Sequence, residues 1–278
     1  MLDCHTHTAN SPDGFNTPEE LANRACELGF SVLSITEHCE ANRLLGRENY
    51  SFQLDEEHFY NNLELFNRSM EDNETLINNF SNSSLIIVNG TELGQATHDF
   101  KSADIIADDE RLDFIIGSVH ELPMRPDFAF LDYSKENINK LLNEYFEEVY
   151  KLCKWGKFDV LGHLTYPLRY IEGEAGIKTD ISEYYDIIAK CFRELIALDK
   201  GIEINSSGLR QLYKKSFPDL ELLKLYRECG GKIITVGSDS HRTEDLGKGI
   251  ADALKLAEEA GFKDVFYFKR HRPYNIHI

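Results

Sequence analysis

The sequence predicts an α/β barrel of parallel strands folded as one unit, and three observations carry that reading. Short apolar runs rich in β-branched residues alternate with segments of helical periodicity, the pattern of successive βα units. No Pro/Gly/Ser-rich linker divides the 278 residues, and no internal sequence repeat is detectable. At ~150 residues per domain the length allows two domains, but a lone α/β barrel commonly runs to ~250 residues, so one domain is the simpler architecture.

Taken in order, the runs that read as strands are residues 2–4, 31–35, 85–88, 114–117, 159–161, 202–204, 233–236 and 265–268. The first helix spans residues 18–28: Thr17 is its N-cap, Glu20 completes a capping box, and Gly29 ends it. Ile138, Leu141, Leu142, Tyr145, Phe146, Val149 and Leu152 step by three and four, which marks one buried helix face. Residues 181–198, 220–229 and 246–260 repeat the pattern. The stretch from about 40 to 84 departs from it, with seven Asn between Asn61 and Asn82. It reads as an inserted excursion near the barrel mouth, a candidate lid, holding one helix over residues 57–70 with Phe59, Leu63 and Phe66 on a face and loop elsewhere.

Composition excludes several functions. Thirty basic against 48 acidic side chains give a net charge of −18 and a pI near 5.0. Nucleic-acid polymers and anionic membranes both select for Lys and Arg, so neither is an expected partner. Hydrophobic residues make up 42%, ordinary for a globular chain, yet no apolar run approaches the ~20 residues of a membrane span. The opening MLDCHTHT has neither a basic nor an apolar leader segment, and the expected location is cytoplasmic. The six cysteines show no C-x-x-C pair and no framework spacing, which predicts reduced, mostly packing thiols.

The chemistry lies in where the histidines fall. His5 and His7 stand two apart at the end of the first strand, on one side of an extended segment. His38 follows SVLSIT, Glu92 follows LIIVNG, His120 follows FIIGS, His163 follows DVLG, and Asp239 and His241 follow IITVGS. Each stands near the carboxyl end of a strand, the rim where parallel barrels build their sites. Six of ten histidines crowded there need something for their lone pairs to coordinate, and a nitrogen-rich shell with a minority of carboxylates suits Zn, Fe or Mn. His58, His98, His271 and His277 lack this placement and read as surface or structural.

These segments (DCHTHTANSPDG, the EH after the second strand, the isolated Glu92, SVH, GH and the closing GSDSH) resemble the polymerase and histidinol phosphatase (PHP) superfamily over nearly the whole chain. The resemblance implies a distorted (β/α)7 TIM-like barrel carrying two or, more often, three divalent metal ions at the rim, and three are expected here. It implies one ion on His5, His7, Glu92 and Asp239, a second on Glu92, His120 and His163, and a third on Asp13, His38 and His241. At Asp13 many relatives carry His. EINSSGLR and GHLTYPLRY look like the stand-alone histidinol phosphatases, with Arg169 and Arg210 in the places of phosphate-gripping arginines. The expected catalytic set is thus Arg169, Arg210 and His241 beside the ligands, and the expected substrate is a small phosphate ester, L-histidinol phosphate first. The alternatives are another PHP phosphoesterase, acting on nucleotides, 3′,5′-bisphosphates or phosphotyrosine, and a non-catalytic metal-binding module. Glu37, Glu40, Glu121 and the Asn-rich excursion are candidates, by location only, for contacts to the imidazole and ammonium of such a substrate.

Overall fold

A computed structural model describes residues 1–44 and 61–278. Seven strands form one parallel sheet in sequential order: β1 (Leu2–Asp3), β2 (Val32–Glu40), β3 (Ile86–Gly94), β4 (Phe114–Ser118), β5 (Val160–Leu161), β6 (Gly201–Asn205) and β7 (Ile234–Gly237). Backbone hydrogen bonds beyond β1 and β7 bring the two edges together: Cys4 N donates to Val236 O at 2.9 Å, Asp239 N to His5 O at 2.8 Å and His7 N to Ser240 O at 2.8 Å. The result is a nearly closed TIM-like barrel, as the strand-and-helix alternation predicts.

The helices are α1 (Pro18–Glu27), α2 (Asn62–Asn79), α3 (Phe100–Ala107), α4 (Ile138–Trp155), α5 (Tyr185–Ala197), α6 (Ser207–Arg210), α7 (Leu220–Glu228) and α8 (Ile250–Glu259). Thr17 and Glu20 form the expected capping box on α1. α4 buries Leu141, Leu142, Tyr145, Phe146, Val149 and Leu152 and ends at Gly156, whose φ of +64° terminates the helix without a Cβ clash.

Side-chain alternation on β2 sets up the site. Leu33 and Ile35 pack with Leu21, Ala22 and Ala25 of α1 and Leu76 of α2, so they face the helices. Ser34, Thr36, His38 and Glu40 therefore share the opposite face. His38 sits directly beside Glu92 in the β2–β3 register, and Glu203 beside Thr235 in the β6–β7 register.

Three sequence expectations change. The run at 265–268 lies outside the barrel: β8 (Asp264–Lys269) pairs antiparallel with β9 (Arg272–His277), a strand the sequence reading missed. α3, eight residues long, was also missed. Within the stretch 40–84, residues 62–79 form α2, which packs on β2 and β3 as barrel wall, with Phe66 buried. The helix expected from residue 57 thus starts at Asn62 within the described residues and runs on to Asn79; Phe59 and His58 lie outside them.

The β8–β9 hairpin closes the amino-terminal end of the barrel. Lys269 Nζ meets Asp113 Oδ2 at 2.6 Å and His271 Nδ1 meets Asp159 Oδ2 at 2.9 Å, just ahead of β4 and β5. Among the described residues no helix is long and apolar enough to cross a membrane, and all six cysteines are free thiols, four of them buried.

Candidate metal centre

All nine expected ligands converge at the carboxyl-terminal rim. His5 Nε2 and His7 Nε2 are 3.0 Å apart, and Glu92 Oε2 lies 3.3 and 3.5 Å from them. Asp239 Oδ1 is 3.5 Å from His7 Nε2. His120 Nε2 and His163 Nε2 are 3.1 Å apart, with Glu92 Oε1 at 3.0 and 2.6 Å. On the outer side, Asp13 lies 3.1 Å from His241 Nε2 and 3.7 Å from His38 Nε2. Asp13 thus lies within reach of both His38 and His241, although its side chain is 60% exposed.

Hydrogen bonds behind the rings decide which nitrogens carry hydrogens. His5 Nδ1 donates to Glu203 Oε1 at 2.6 Å and His120 Nδ1 to Glu40 Oε1 at 2.9 Å. The Ser11 hydroxyl donates to Glu37 Oε2 at 2.5 Å, so its oxygen must accept from His7 Nδ1 at 3.1 Å. In the neutral rings of His5, His7 and His120, Nε2 then bears a lone pair, and these lone pairs point into one another and at Glu92. Glu92 Oε2 and His38 Nδ1 are likewise buried, 2.8 Å apart, and share no hydrogen bond.

The protein's own charges report the same demand for a cation. Burial lowers the His120 pKa, but Glu92 and Glu40 overrule it and raise it to about 10. Burial also opposes charge on His5, yet Glu203, Glu92 and Asp239 hold its pKa well above the usual imidazole range. His7 goes the other way, held well below by burial and by the His38 and His241 rings. Protons on His5 and His120 are monovalent substitutes for what the donors call for. Divalent ions fit this set better, because each accepts several lone pairs at once. Four groups of ligand atoms lie within 4.8 Å of one another: His5–His7–Glu92, Glu92–His120–His163, His7–His38–His241 and His38–Glu40–His120.

The arginines stand beside these ligands. Arg169 lies between the rings of Tyr166 and Phe217, 4.9 and 5.3 Å from their centroids, and donates to Ser207 Oγ at 2.8 Å and Asp239 Oδ2 at 3.2 Å. Its buried Nε has no hydrogen-bond partner among the described residues. Arg210 donates through Nη1 to Ser238 O at 2.5 Å and through Nη2 to Asp239 O at 2.8 Å. Asp239 has φ +54°, a left-handed conformation that costs a non-glycine residue about 1 kcal/mol, and the Arg210 fork holds it there.

The three glutamates that are candidates by location for the substrate's imidazole and ammonium already hold protein partners. Glu37 accepts from Thr8 N and Oγ1 as well as from Ser11, and Glu40 accepts from His120. Glu121 is bound by Asn42 and Arg43, both at 2.7 Å; burial raises its pKa to about 7. Glu203 was missed as a site residue; a carboxylate inside the buried strand run GIEIN is the signal that marks it. His98 is not a surface residue: its side chain is 3% exposed, 3.9 Å from both Glu121 and Glu148.

Fold and site together define a parallel barrel with clustered metal-binding residues at its rim. The PHP domain model matches residues 3–207, most of the barrel, and the chain belongs to the PHP domain family. A Clostridium acetobutylicum protein named a probable histidinol-phosphatase is 26% identical over 277 residues, covering 99% of each chain. The histidinol-phosphatase of Lactococcus lactis is 26% identical over 276 residues, covering 96% of this chain and 94% of its own. In structure, the L. lactis histidinol phosphate phosphatase crystallised with zinc, L-histidinol and phosphate superimposes with a TM-score of 0.79 at 24% identity, covering 98% of both chains.

Proposed function

We propose that this chain is a metal-dependent phosphomonoesterase that hydrolyses L-histidinol phosphate to L-histidinol and phosphate. The observation that carries the chemistry is the pair of opposed Nε2 contacts, His5–His7 and His120–His163, arranged about Glu92 beside a partly buried arginine, Arg169. The substrate follows from the relatives, since proteins matched along nearly their whole length are named histidinol-phosphatases.

His5, His7, Glu92 and Asp239 would hold one ion, Glu92, His120 and His163 a second, and Asp13, His38 and His241 a third, with Zn, Fe or Mn suited to this nitrogen-rich set. When bound, such ions lower the pKa of an attacking water and draw charge from the phosphoryl oxygens. Glu92, supported by Ser118 Oγ at 2.8 Å, joins the two histidine pairs into one centre. Arg169, fixed by its two flanking rings, would bring its guanidinium charge to the phosphate beside Asp239, and Arg210 would add a second one there. Both stabilise charge that grows on the phosphoryl oxygens, and neither reorganises to do so. His241, at the outer edge with Asp13, completes the machinery. The reaction suits a small phosphate ester in a barrel mouth, a biosynthetic substrate within the cell, and neither a nucleic-acid polymer nor a membrane.

The test is phosphate release from L-histidinol phosphate, a mononucleotide panel, a 3′,5′-bisphosphate and phosphotyrosine, each at equal concentration. Selective turnover of histidinol phosphate is expected. Preference for another ester would replace the substrate and keep the chemistry, whereas no release from any would leave a binding module.

A further inference from the structure

We infer that Glu203, Glu40 and the Ser11–Glu37 pair are positioning residues of the metal centre, each locking one histidine with its Nε2 lone pair aimed at the centre. The inference rests on the metal-dependent reading above and adds residues behind the ligands. An imidazole can carry its hydrogen on either nitrogen, and only a ring with hydrogen on Nδ1 offers Nε2 to an ion. His5, His120 and His7 each turn Nδ1 towards a fixed acceptor: Glu203 Oε1 at 2.6 Å, Glu40 Oε1 at 2.9 Å and Ser11 Oγ at 3.1 Å.

The acceptors are themselves held. Glu203, fully buried, accepts from His163 N at 2.8 Å through its other oxygen, so one carboxylate ties His5 of one pair to the backbone of His163 in the other. Ser11 takes His38 N–H at 3.1 Å and gives its hydrogen to Glu37, whose oxygens also hold Thr8. The fold leaves space for two of these groups by omitting side chains. A Cβ on Gly94 would collide with the Glu40 carboxylate, and one on Gly237 with Glu203 Oε1 and His5 Cβ. Neither glycine has positive φ, so the space, not the backbone angle, calls for glycine there. Partners of this kind orient ligand rings and make them more basic, and losing one typically weakens metal binding by roughly 10–100-fold.

The experiment measures zinc affinity of the metal-stripped full chain by competition with a chromophoric chelator, for wild type, Glu203→Gln, Glu203→Ala, Glu40→Gln, Glu40→Ala and Ser11→Ala. Stripped-chain melting and ¹⁵N spectra of the histidine rings are recorded alongside. The expected result is a loss of roughly 10–100-fold in zinc affinity for the alanine variants, larger than any fall in stripped-chain melting accounts for. The glutamine variants should lose less, because an amide oxygen still accepts Nδ1–H. In Ser11→Ala, one ring, His7, should lose its fixed Nδ1–H form in the spectra. Gly237→Ala should reproduce the Glu203 effect. Unchanged zinc affinity and unchanged ring tautomers, in variants of a wild type that binds zinc, would overturn the inference. If the Glu203 variants do not fold, Ser11→Ala and Glu40→Gln decide it. A wild type that binds no zinc would instead refute the metal reading itself.

Discussion

At the amino-terminal end of the barrel, Asp159 Oδ2 accepts from Ile115 N at 2.8 Å and from His271 Nδ1 at 2.9 Å, while Asp113 takes Lys269 Nζ, Asn89 N and Arg270 N. At the carboxyl-terminal rim, Glu92 and six histidines use the same side-chain chemistry, but their donor atoms face one another with too few hydrogens between them. Both ends bury acids against histidine. Among the described residues, only the amino-terminal end closes its hydrogen bonds. Acids and histidines whose hydrogen bonds close hold the barrel together, and those whose lone pairs are left over mark where it works.

Mutations at the two ends should therefore fail in different ways. The largest effect is expected for Glu92→Gln, which removes the carboxylate common to both histidine pairs. Its turnover should fall by roughly 10³-fold or more while the melting curve of the stripped chain holds, as steady-state kinetics and calorimetry can show. A collapse of the stripped fold would move Glu92 into the structural class and break the comparison.

Asp159→Ala tests the opposite end. It leaves Ile115 N–H and the His271 ring without their acceptor, at an expected cost of about 2–4 kcal/mol. The thermal midpoint should fall by several degrees, with zinc affinity and kcat per folded molecule unchanged. Arg210→Ala sharpens the boundary between the two classes, because that arginine holds the Asp239 backbone and, in the proposed function, would also meet the phosphate. KM should rise by roughly tenfold with a smaller fall in kcat, and unchanged kinetics would reduce Arg210 to a surface group.

The smallest effect is a pH signature at the hairpin. The Asp159 hydrogen bond raises the His271 pKa above its unfolded value of about 6.5, so the stabilisation is fully present below that pH. It is lost as pH rises through the folded pKa. His271→Ala should cost no more than about 1 kcal/mol in the acidic range, since 38% of the side chain is exposed and solvent screens the pair. The difference from wild type in denaturant titrations should shrink towards alkaline pH.

Much of this was legible in the sequence, for identifiable reasons. The candidate ligands follow apolar strand runs, so their position on the rim can be read from order alone. The strands themselves were read too short at β2 and β3, because there the inward side chains become His38, Glu40 and Glu92, and an apolar run ends where the site begins. β9 carries Pro273 and basic residues on an exposed edge, which masks its strand character, and α3 is only eight residues long. Glu203, Glu40 and Ser11 were not assigned as supports, because hydrogen bonding behind a ligand joins residues up to 198 positions apart and leaves no local pattern. Asp13, by contrast, was placed by resemblance in a turn whose geometry the sequence does not encode, and the structure sets it beside His241.

The central claim is that the rim is incomplete without divalent ions and hydrolytic with them. Phosphate release from L-histidinol phosphate by the chelator-stripped chain, followed as Zn, Mn or Fe is added back, tests it most directly. The account predicts no release from the stripped chain and recovery with added metal; full activity in the metal-free protein would contradict it.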